Sequence, residues 1–136
     1  MLYQLPMAED GETVYFAGNF YRRNGPFDSP QNLQRFNVFS KVHTHLSERS
    51  TLTLDLGAFN SGWDASGQLP VRAIKSGQIG RWGAIDDLEG GTTGRHNLNL
   101  TFRSKGMNNS DFITQAYFSR YDFKLFSNFT FFLADP

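Results

Sequence analysis

Residues 51–59 read TLTLDLGAF, with Leu or Ala at every even position and Thr, Asp or Gly at the odd positions before Phe59. Successive side chains of a β-strand point to opposite faces of the sheet. A period of two therefore predicts a strand with one apolar face and one polar face. This stretch decides the fold class, because strands of this kind build antiparallel sheets whose two faces meet different environments.

The same alternation returns in four other segments of the chain. In one of them, Leu98, Leu100 and Phe102 alternate with Asn97 and Asn99. The predicted strands are Thr13–Tyr21, Arg35–His45, Thr51–Phe59, Arg95–Arg103 and Phe112 to about Thr130. We therefore predict an all-β fold, an antiparallel up-and-down meander of about five strands.

The connectors between these strands alternate in length. Short turns rich in Ser, Gly and Asn occupy about 46–50 and 104–110, whereas longer loops occupy about 22–34 and 60–94. Short turns on one rim and long loops on the other are typical of outer-membrane β-barrels. A soluble antiparallel β-sandwich with a long binding loop shows the same alternation, since its strands also have an inside and an outside.

The composition excludes several classes of function. Thirteen basic residues balance thirteen acidic ones, so the chain lacks the net positive charge of a nucleic-acid-binding domain. It has no cysteine, which excludes disulfides and thiolate metal sites. No run of about 18 apolar residues is present, which excludes a transmembrane helix. The fourteen Phe, five Tyr and two Trp instead alternate with polar residues, as expected of a sheet with one apolar face.

Motifs in the connectors resemble those of one protein family. They are GPFDSP at 25–30, LQRFN at 33–37, WDASGQLPVRAI at 63–74, GQIGRWGAID at 77–86, GGTTGRHNL at 90–98 and LFSNFTFFLADP at 125–136. In this order they resemble segments of TonB-dependent outer-membrane receptors, where similar stretches run GPWDxP, RR-apolar-N, WxATGQIPxRA, GxIGRFGxID, GGxTxRxxLS and LxSNFTYFLxDP. The resemblance covers nearly the whole chain from about Thr13 onward.

The resemblance implies that residues 1–136 form part of a transmembrane barrel of about 22 strands in a bacterial outer membrane. Loops 22–34 and 60–94 would face outward, and turns 46–50 and 104–110 would face the periplasm. The implied function is uptake of a scarce nutrient, such as siderophore-bound iron, a cobalamin or an oligosaccharide, energised by the TonB-ExbB-ExbD complex. By this resemblance, the plug domain and the rest of the barrel are expected to be missing here. We therefore expect a fragment that contributes wall strands, contacts outer-membrane lipid and supplies ligand-closing outer loops.

The candidate ligand-binding residues lie in the longer outer loop, where rings could stack on a small nutrient ligand and charges could attract it. They are Trp63, Asp64, Arg72, Arg81, Trp82 and Asp86. A second set is expected to share the lumen-facing side of the barrel: Asn97, Asn99, Arg103, Arg120, Asp122 and Lys124. A charge on the lipid side costs about 2–4 kcal/mol at the midplane, which favours this orientation. Tyr121 and Phe123, on the other parity, are expected to face lipid.

Catalytic and metal chemistry find little support in the sequence. There is no G-x-S-x-G, H-E-x-x-H or G-x-x-x-x-G-K-[ST] motif, so we predict no catalytic residue, no enzyme activity and no cofactor. His43 and His45 could reach one metal ion but lack a clear third ligand, so no metal site is predicted. Asp86, Asp87 and Glu89 lack calcium-loop spacing and are expected to be solvated loop acids. The alternative function is a soluble β-sandwich module that binds carbohydrate.

Overall fold

A computed structural model describes residues 2–6 and 11–128 of the chain. Six strands form one sheet in the order β1-β2-β3-β4-β5-β6, so each strand pairs with its neighbours along the chain. The elements are β1 (Leu2–Pro6), β2 (Thr13–Arg23), β3 (Leu33–Ser47), β4 (Ser50–Asp64), α1 (Val71–Lys75), β5 (Gly90–Lys105), a 3₁₀ turn (Met107–Asn109) and β6 (Asp111–Phe126). The predicted all-β antiparallel meander is confirmed, and among the described strands the sheet is open.

All five predicted strands are present; β2 begins at the predicted residue and extends beyond its predicted end, and β3, β4 and β5 extend at both ends. The sequence analysis missed two elements, the strand β1 and the short helix α1. β1 pairs antiparallel with β2, from Leu2 opposite Ala17 to Pro6 opposite Thr13. The last part of the fifth predicted strand and the motif at its end reach residues 129–136, which lie outside the described residues.

The chain divides into two compact units. Of the described residues, the sheet unit contains 2–6, 11–19, Phe36–Phe59 and Gly94–Tyr121. The loop unit contains Phe20–Arg35, Asn60–Thr93 and 122–128. Both long connectors, 24–32 and 65–89, belong to the loop unit, whereas the turns at 48–49 and 106–110 belong to the sheet unit.

One face of the sheet unit carries a row of polar contacts across four strands, here called the polar ladder. The Lys41 ammonium lies 3.5 Å from Asp55 Oδ1. Asn99 Nδ2 donates to Asp55 Oδ2 at 3.0 Å and Gln115 Nε2 donates to Asn99 Oδ1 at 2.7 Å. Beside the ladder, Ser119 Oγ donates to Asn97 Oδ1 at 2.7 Å. Polar groups on this face therefore contact one another laterally from β3 to β6, with Asp55 Oδ1 held by the Lys41 charge rather than by a hydrogen bond.

The opposite face of the sheet unit is mainly apolar. Val38, Leu56, Leu98 and Phe118 line a groove of about 420 Å³ that crosses β3 to β6. Phe118 is 62% exposed and Leu56 is 41% exposed, so no element of the described chain covers them. Within the described residues Ala73 is the only buried hydrophobic residue, and it lies in the loop unit. This apolar face therefore makes no enclosed core with the rest of the described chain.

The contacts of β6 correct one prediction. Ser119 bonds Asn97, and the Arg95 guanidinium carbon lies 6.0 Å from the centroid of the Tyr121 ring. Residues at odd positions of β6 therefore share a face with Asn97. Because side chains alternate along a strand, those at even positions of β6 point to the opposite face.

The predicted lumen-facing set consequently divides between the two faces. Asn97, Asn99 and Arg103 fall on the face of the polar ladder, whereas Arg120, Asp122 and Lys124 fall on the other. The prediction that all six share one face is wrong. So is the expectation that Tyr121 and Phe123 lie opposite Asn97. That one of these faces borders a lumen stays a prediction.

Candidate functional site

The candidate site of the loop unit is built around the end of β4 at Asp64 and the start of β5 at Gly90. The Trp63 ring lies over Gly91 on the neighbouring strand and 6.5 Å from the centroid of the Phe123 ring. A Cβ atom at Gly91 would fall 2.9 Å from Trp63 Cζ2 and 2.5 Å from the Lys124 carbonyl oxygen. Only glycine lets the three strands approach this closely, so the GG pair at 90–91 holds the indole in place.

Glu89, directly before β5, fixes the ends of the longer loop. Its side chain is 7% exposed, and Oε1 accepts a hydrogen bond from the backbone N–H of Asn128 at 2.9 Å. Its backbone carbonyl accepts from the N–H of Ala65, also at 2.9 Å. Gly67, with a φ of +63°, passes so close that any Cβ there would collide with the Glu89 carboxylate. A buried carboxylate that accepts from backbone N–H groups is a structural tie between segments far apart in sequence.

The two long loops are joined by a second group of contacts. The N–H of Asp28 donates to the carbonyl oxygen of Trp82 at 3.0 Å, and the Phe27 ring meets the Trp82 ring edge-on at 5.8 Å. Ser29 Oγ donates to Asp87 Oδ1 at 2.6 Å. The Arg81 guanidinium carbon lies 5.8 Å from the centroid of the Trp82 ring. Trp82 remains 47% exposed, so part of its surface is available to a ligand.

Asp64 is held by the shorter loop. Its N–H donates to the carbonyl oxygen of Gln31 at 2.7 Å, and its Oδ2 accepts from Asn32 Nδ2 at 2.8 Å. Asn32 has a φ of 46°, a left-handed conformation that asparagine tolerates better than most residues. The exposed carboxylate is therefore fixed in direction, since both its backbone and its side chain are bonded to one segment.

Two neighbouring cavities collect half of the predicted ligand-binding residues. Trp63 and Asp64 line one of about 390 Å³, and Asp86 lines one of about 660 Å³. The residues common to both cavities are Leu88, Glu89 and Phe126. The first cavity joins an indole and a phenyl ring to amide and carboxylate groups, which is the chemistry needed to hold a ligand with a flat apolar side and polar edges.

The other predicted residues lie elsewhere in the loop unit. Arg81 and Trp82 lie beside Phe27, and Arg72 lies exposed on α1. The six candidates therefore do not converge on a single cavity. Sequence reasoning missed Asn32 and Glu89, which line the first cavity. Asparagine tolerates a left-handed backbone better than most residues, so Asn32, two residues after Pro30, could have been identified as a turn residue from the sequence. Glu89 could not have been identified in this way, because its burial depends on contacts with segments that are remote in sequence.

The acidic cluster does not act as one group. Asp86 Oδ1 accepts from the N–H of Leu88 at 2.8 Å, Asp87 accepts from Ser29, and Glu89 accepts from Asn128. The expectation that all three are solvated loop acids is wrong for Glu89, which is buried. Among the described residues no group of three or more His, Asp or Glu side chains could hold a metal ion.

In the sheet unit, His43 and His45 have ring centroids 5.6 Å apart, and His43 Nδ1 forms a hydrogen bond with Thr53 Oγ1 at 2.8 Å. His43 therefore already has a side-chain partner on the neighbouring strand. In the described part of the chain, no helix is long and apolar enough to cross a membrane.

In comparisons with known proteins, no family model, no curated protein and no solved structure matches this chain.

Proposed function

We propose that this chain is a wall segment of a TonB-dependent receptor in a bacterial outer membrane. The parent receptor takes up siderophore-bound iron, a cobalamin or an oligosaccharide, with energy delivered by TonB, ExbB and ExbD. In this proposal the strands cross the membrane beside lipid, the plug domain and the rest of the barrel. The loops at 24–32 and 65–89 lie outside and help to close over the ligand. The segment itself makes or breaks no bond of the ligand.

The observation that carries the proposal is the uncovered apolar face of the sheet unit, opposite the polar ladder. Full burial of a Leu or Phe side chain stabilises a fold by about 1.5–3 kcal/mol. A sheet that leaves Leu56 and Leu98 about 40% exposed and Phe118 62% exposed forgoes a substantial part of that stabilisation. Lipid would cover this face, and the polar ladder would meet water or protein, because unsatisfied polar groups are costly in hydrocarbon.

The loop unit supports the receptor part of the proposal. The contacts from Phe27 and Ser29 to Trp82 and Asp87 join the two long loops. The cavity beside Trp63 offers rings and fixed polar groups within the same unit. Long loops that are ordered by their own contacts, and that carry such a cavity, are typical of binding loops.

The second candidate is a soluble β-sandwich module that binds carbohydrate. It would need a second sheet packed on the apolar face at about 10 Å. All described strands belong to one sheet, so the second would have to come from outside the described residues. The ring-and-amide cavity suits a sugar equally well. The two candidates therefore differ in what covers the apolar face, and that difference can be measured.

The test is to compare circular dichroism and sedimentation of the chain in plain buffer and in a mild neutral detergent. The membrane proposal expects aggregation in buffer and a strand spectrum with cooperative unfolding in detergent. A double variant, Leu56→Gln with Leu100→Gln, should weaken the detergent-dependent strand signal. The matched control, Thr51→Gln with Thr101→Gln, changes one position of opposite parity on each of the same two strands and should leave the signal intact. A soluble monomer that melts cooperatively in plain buffer would exclude the membrane proposal and favour the sandwich.

A further inference from the structure

Two turns of the sheet unit lie side by side. The N–H of Lys105, at the end of β5, donates to the carbonyl oxygen of Arg49 in the turn between β3 and β4 at 2.8 Å. That turn is closed by the hydroxyls of Ser47 and Ser50, whose oxygens are 2.5 Å apart. Backbone contacts therefore fix two basic residues from remote parts of the sequence next to each other.

The second turn is equally well ordered. The N–H of Gly106 donates to the carbonyl oxygen of Ser110 at 2.8 Å, and Ser110 Oγ donates to the carbonyl oxygen of Met107 at 3.1 Å. Asn108 has a φ of 65°, the left-handed conformation that a tight turn of this kind requires. Residues on either side of the turn consequently have defined backbone positions.

A cavity of about 350 Å³ lies at these turns and is lined by three cationic residues, Arg49, Arg103 and Lys105. Two acidic residues, Glu48 and Asp111, also line it. Within the described residues none of the three cations forms an ion pair with a carboxylate, in contrast to Lys41 and Asp55 on the polar ladder. Three cations against two carboxylates leave an excess of one positive charge at the cavity, which a bound anion would balance.

We propose that this cavity binds a phosphate group, either as a free anion or as the headgroup of a phospholipid. The guanidinium groups of Arg49 and Arg103 each offer parallel N–H donors that match the spacing of phosphate oxygens, and Lys105 adds a point charge. Phe112 and Ile113 line the same cavity and provide apolar surface beside the charges. This site belongs to the turns and is separate from the loop-unit cavities, so it does not rest on the proposed ligand uptake.

The test is isothermal titration calorimetry of the full chain with inorganic phosphate, in neutral detergent or in buffer if the chain is soluble there. Arg49→Gln, Arg103→Gln and Lys105→Gln should each raise the dissociation constant about five- to tenfold, because each removes one charge-assisted contact. Arg23→Gln, an exposed strand arginine of the loop unit, is the matched control and should leave the constant unchanged. Circular dichroism checks that each variant retains its strand signal.

Two variants test the sign of the effect. Glu48→Gln and Asp111→Asn remove carboxylates that compete with the anion, so each should tighten phosphate binding about two- to fivefold. A second titrant, a short-chain phosphatidylglycerol below its micelle concentration, distinguishes the source. At least tenfold tighter binding than inorganic phosphate identifies a lipid headgroup, and equal or weaker binding identifies a free anion.

The proposal is overturned if wild-type chain shows no phosphate binding that weakens with added salt. It is also overturned if the three cation variants and the Arg23→Gln control bind phosphate equally well.

Discussion

Replacing Leu100 by Lys tests directly what covers the apolar face. Leu100 lies on β5 between Leu98 and Phe102, two residues, or about 7 Å of strand, from either one. A lysine in the middle of a lipid-facing band costs about 2–4 kcal/mol, and the cost falls to about 0–1 kcal/mol near its edges. At about 1.4 kcal/mol per factor of ten, Leu100→Lys should shift the folding equilibrium roughly 30- to 700-fold.

The assay is urea unfolding of the chain refolded into phosphatidylcholine vesicles, followed by the far-ultraviolet circular dichroism of the strands. Free energies come from linear extrapolation to zero denaturant. Thr101→Lys is the matched control, since Thr101 is the next residue on β5 and has the opposite parity. It should cost less than about 1 kcal/mol. Leu98→Lys, closer to the edge of the apolar band, should fall between the two.

The size of the effect separates the possible coverings. Lipid predicts a large cost at Leu100 that declines toward Leu98 and appears only in the vesicle-bound state. A packed second sheet predicts an equally large cost in plain buffer at both positions. If Leu100→Lys and Thr101→Lys cost the same within about 0.5 kcal/mol in vesicles, the assignment of this face to lipid is refuted.

Three further predictions concern the loop unit; the first two are measured by urea unfolding with circular dichroism and the third by limited proteolysis with trypsin. Glu89→Ala should destabilise the chain by about 1–3 kcal/mol because it leaves the Asn128 N–H without its acceptor. Glu89→Gln keeps an acceptor oxygen and should cost less than half as much. Equal costs for the two variants would contradict this role of the hydrogen bond. Gly91→Ala should lower the free energy of unfolding by about 1–3 kcal/mol because the added Cβ overlaps Trp63 and the Lys124 carbonyl. Gly57→Ala is the control: the atom nearest to its added Cβ is 3.9 Å away, so it should lower the free energy of unfolding by less than about 1 kcal/mol. Trp82→Ala should speed tryptic cleavage at Arg81 and Arg72 severalfold by removing the contact with Phe27, and an unchanged cleavage rate would show that this contact does not order the loops.

The strands could be predicted from the sequence because alternation is a local signal. TLTLDLGAF assigns its own two faces without knowledge of its neighbours. The ends of the strands were harder to predict, because pairing between strands continues beyond the residues in which apolar and polar side chains alternate. β4 extends through Asn60, Ser61 and Gly62, which are small or polar and read as loop, yet Ser61 Oγ donates to the Gln34 carbonyl at 3.0 Å and Asp64 bonds Gln31. These partners are remote in sequence, so no local pattern reveals them.

The faces of β6 show a different limit. Both parities of this strand mix rings with polar groups: Tyr117, Ser119 and Tyr121 on one, Phe118 and Arg120 on the other. The charges at 120, 122 and 124 taken alone favour a face in contact with water, and the predicted orientation of β6 was based on them. The cross-strand bond from Ser119 to Asn97 decides otherwise. Register is set by the neighbouring strand, so a strand with two mixed faces cannot be oriented from its own sequence.

The corrected orientation of β6 also supports lipid as the covering of the apolar face. Gly57, Asn97 and Ser119 lie side by side across β4, β5 and β6. On the opposite face, the residues one step toward the turns are Leu56, Leu98 and Phe118, and those one step toward the loops are Ala58, His96 and Arg120. Three neighbouring strands thus change from large apolar residues to small or polar ones at one level. A lipid layer of uniform thickness requires such a common boundary, and Arg120 beyond it has the low cost of a charge near the interface. A protein surface packed on this face would impose no common level, so lysine should cost less at 58, 96 and 120 than at 56, 98 and 118 on all three strands together.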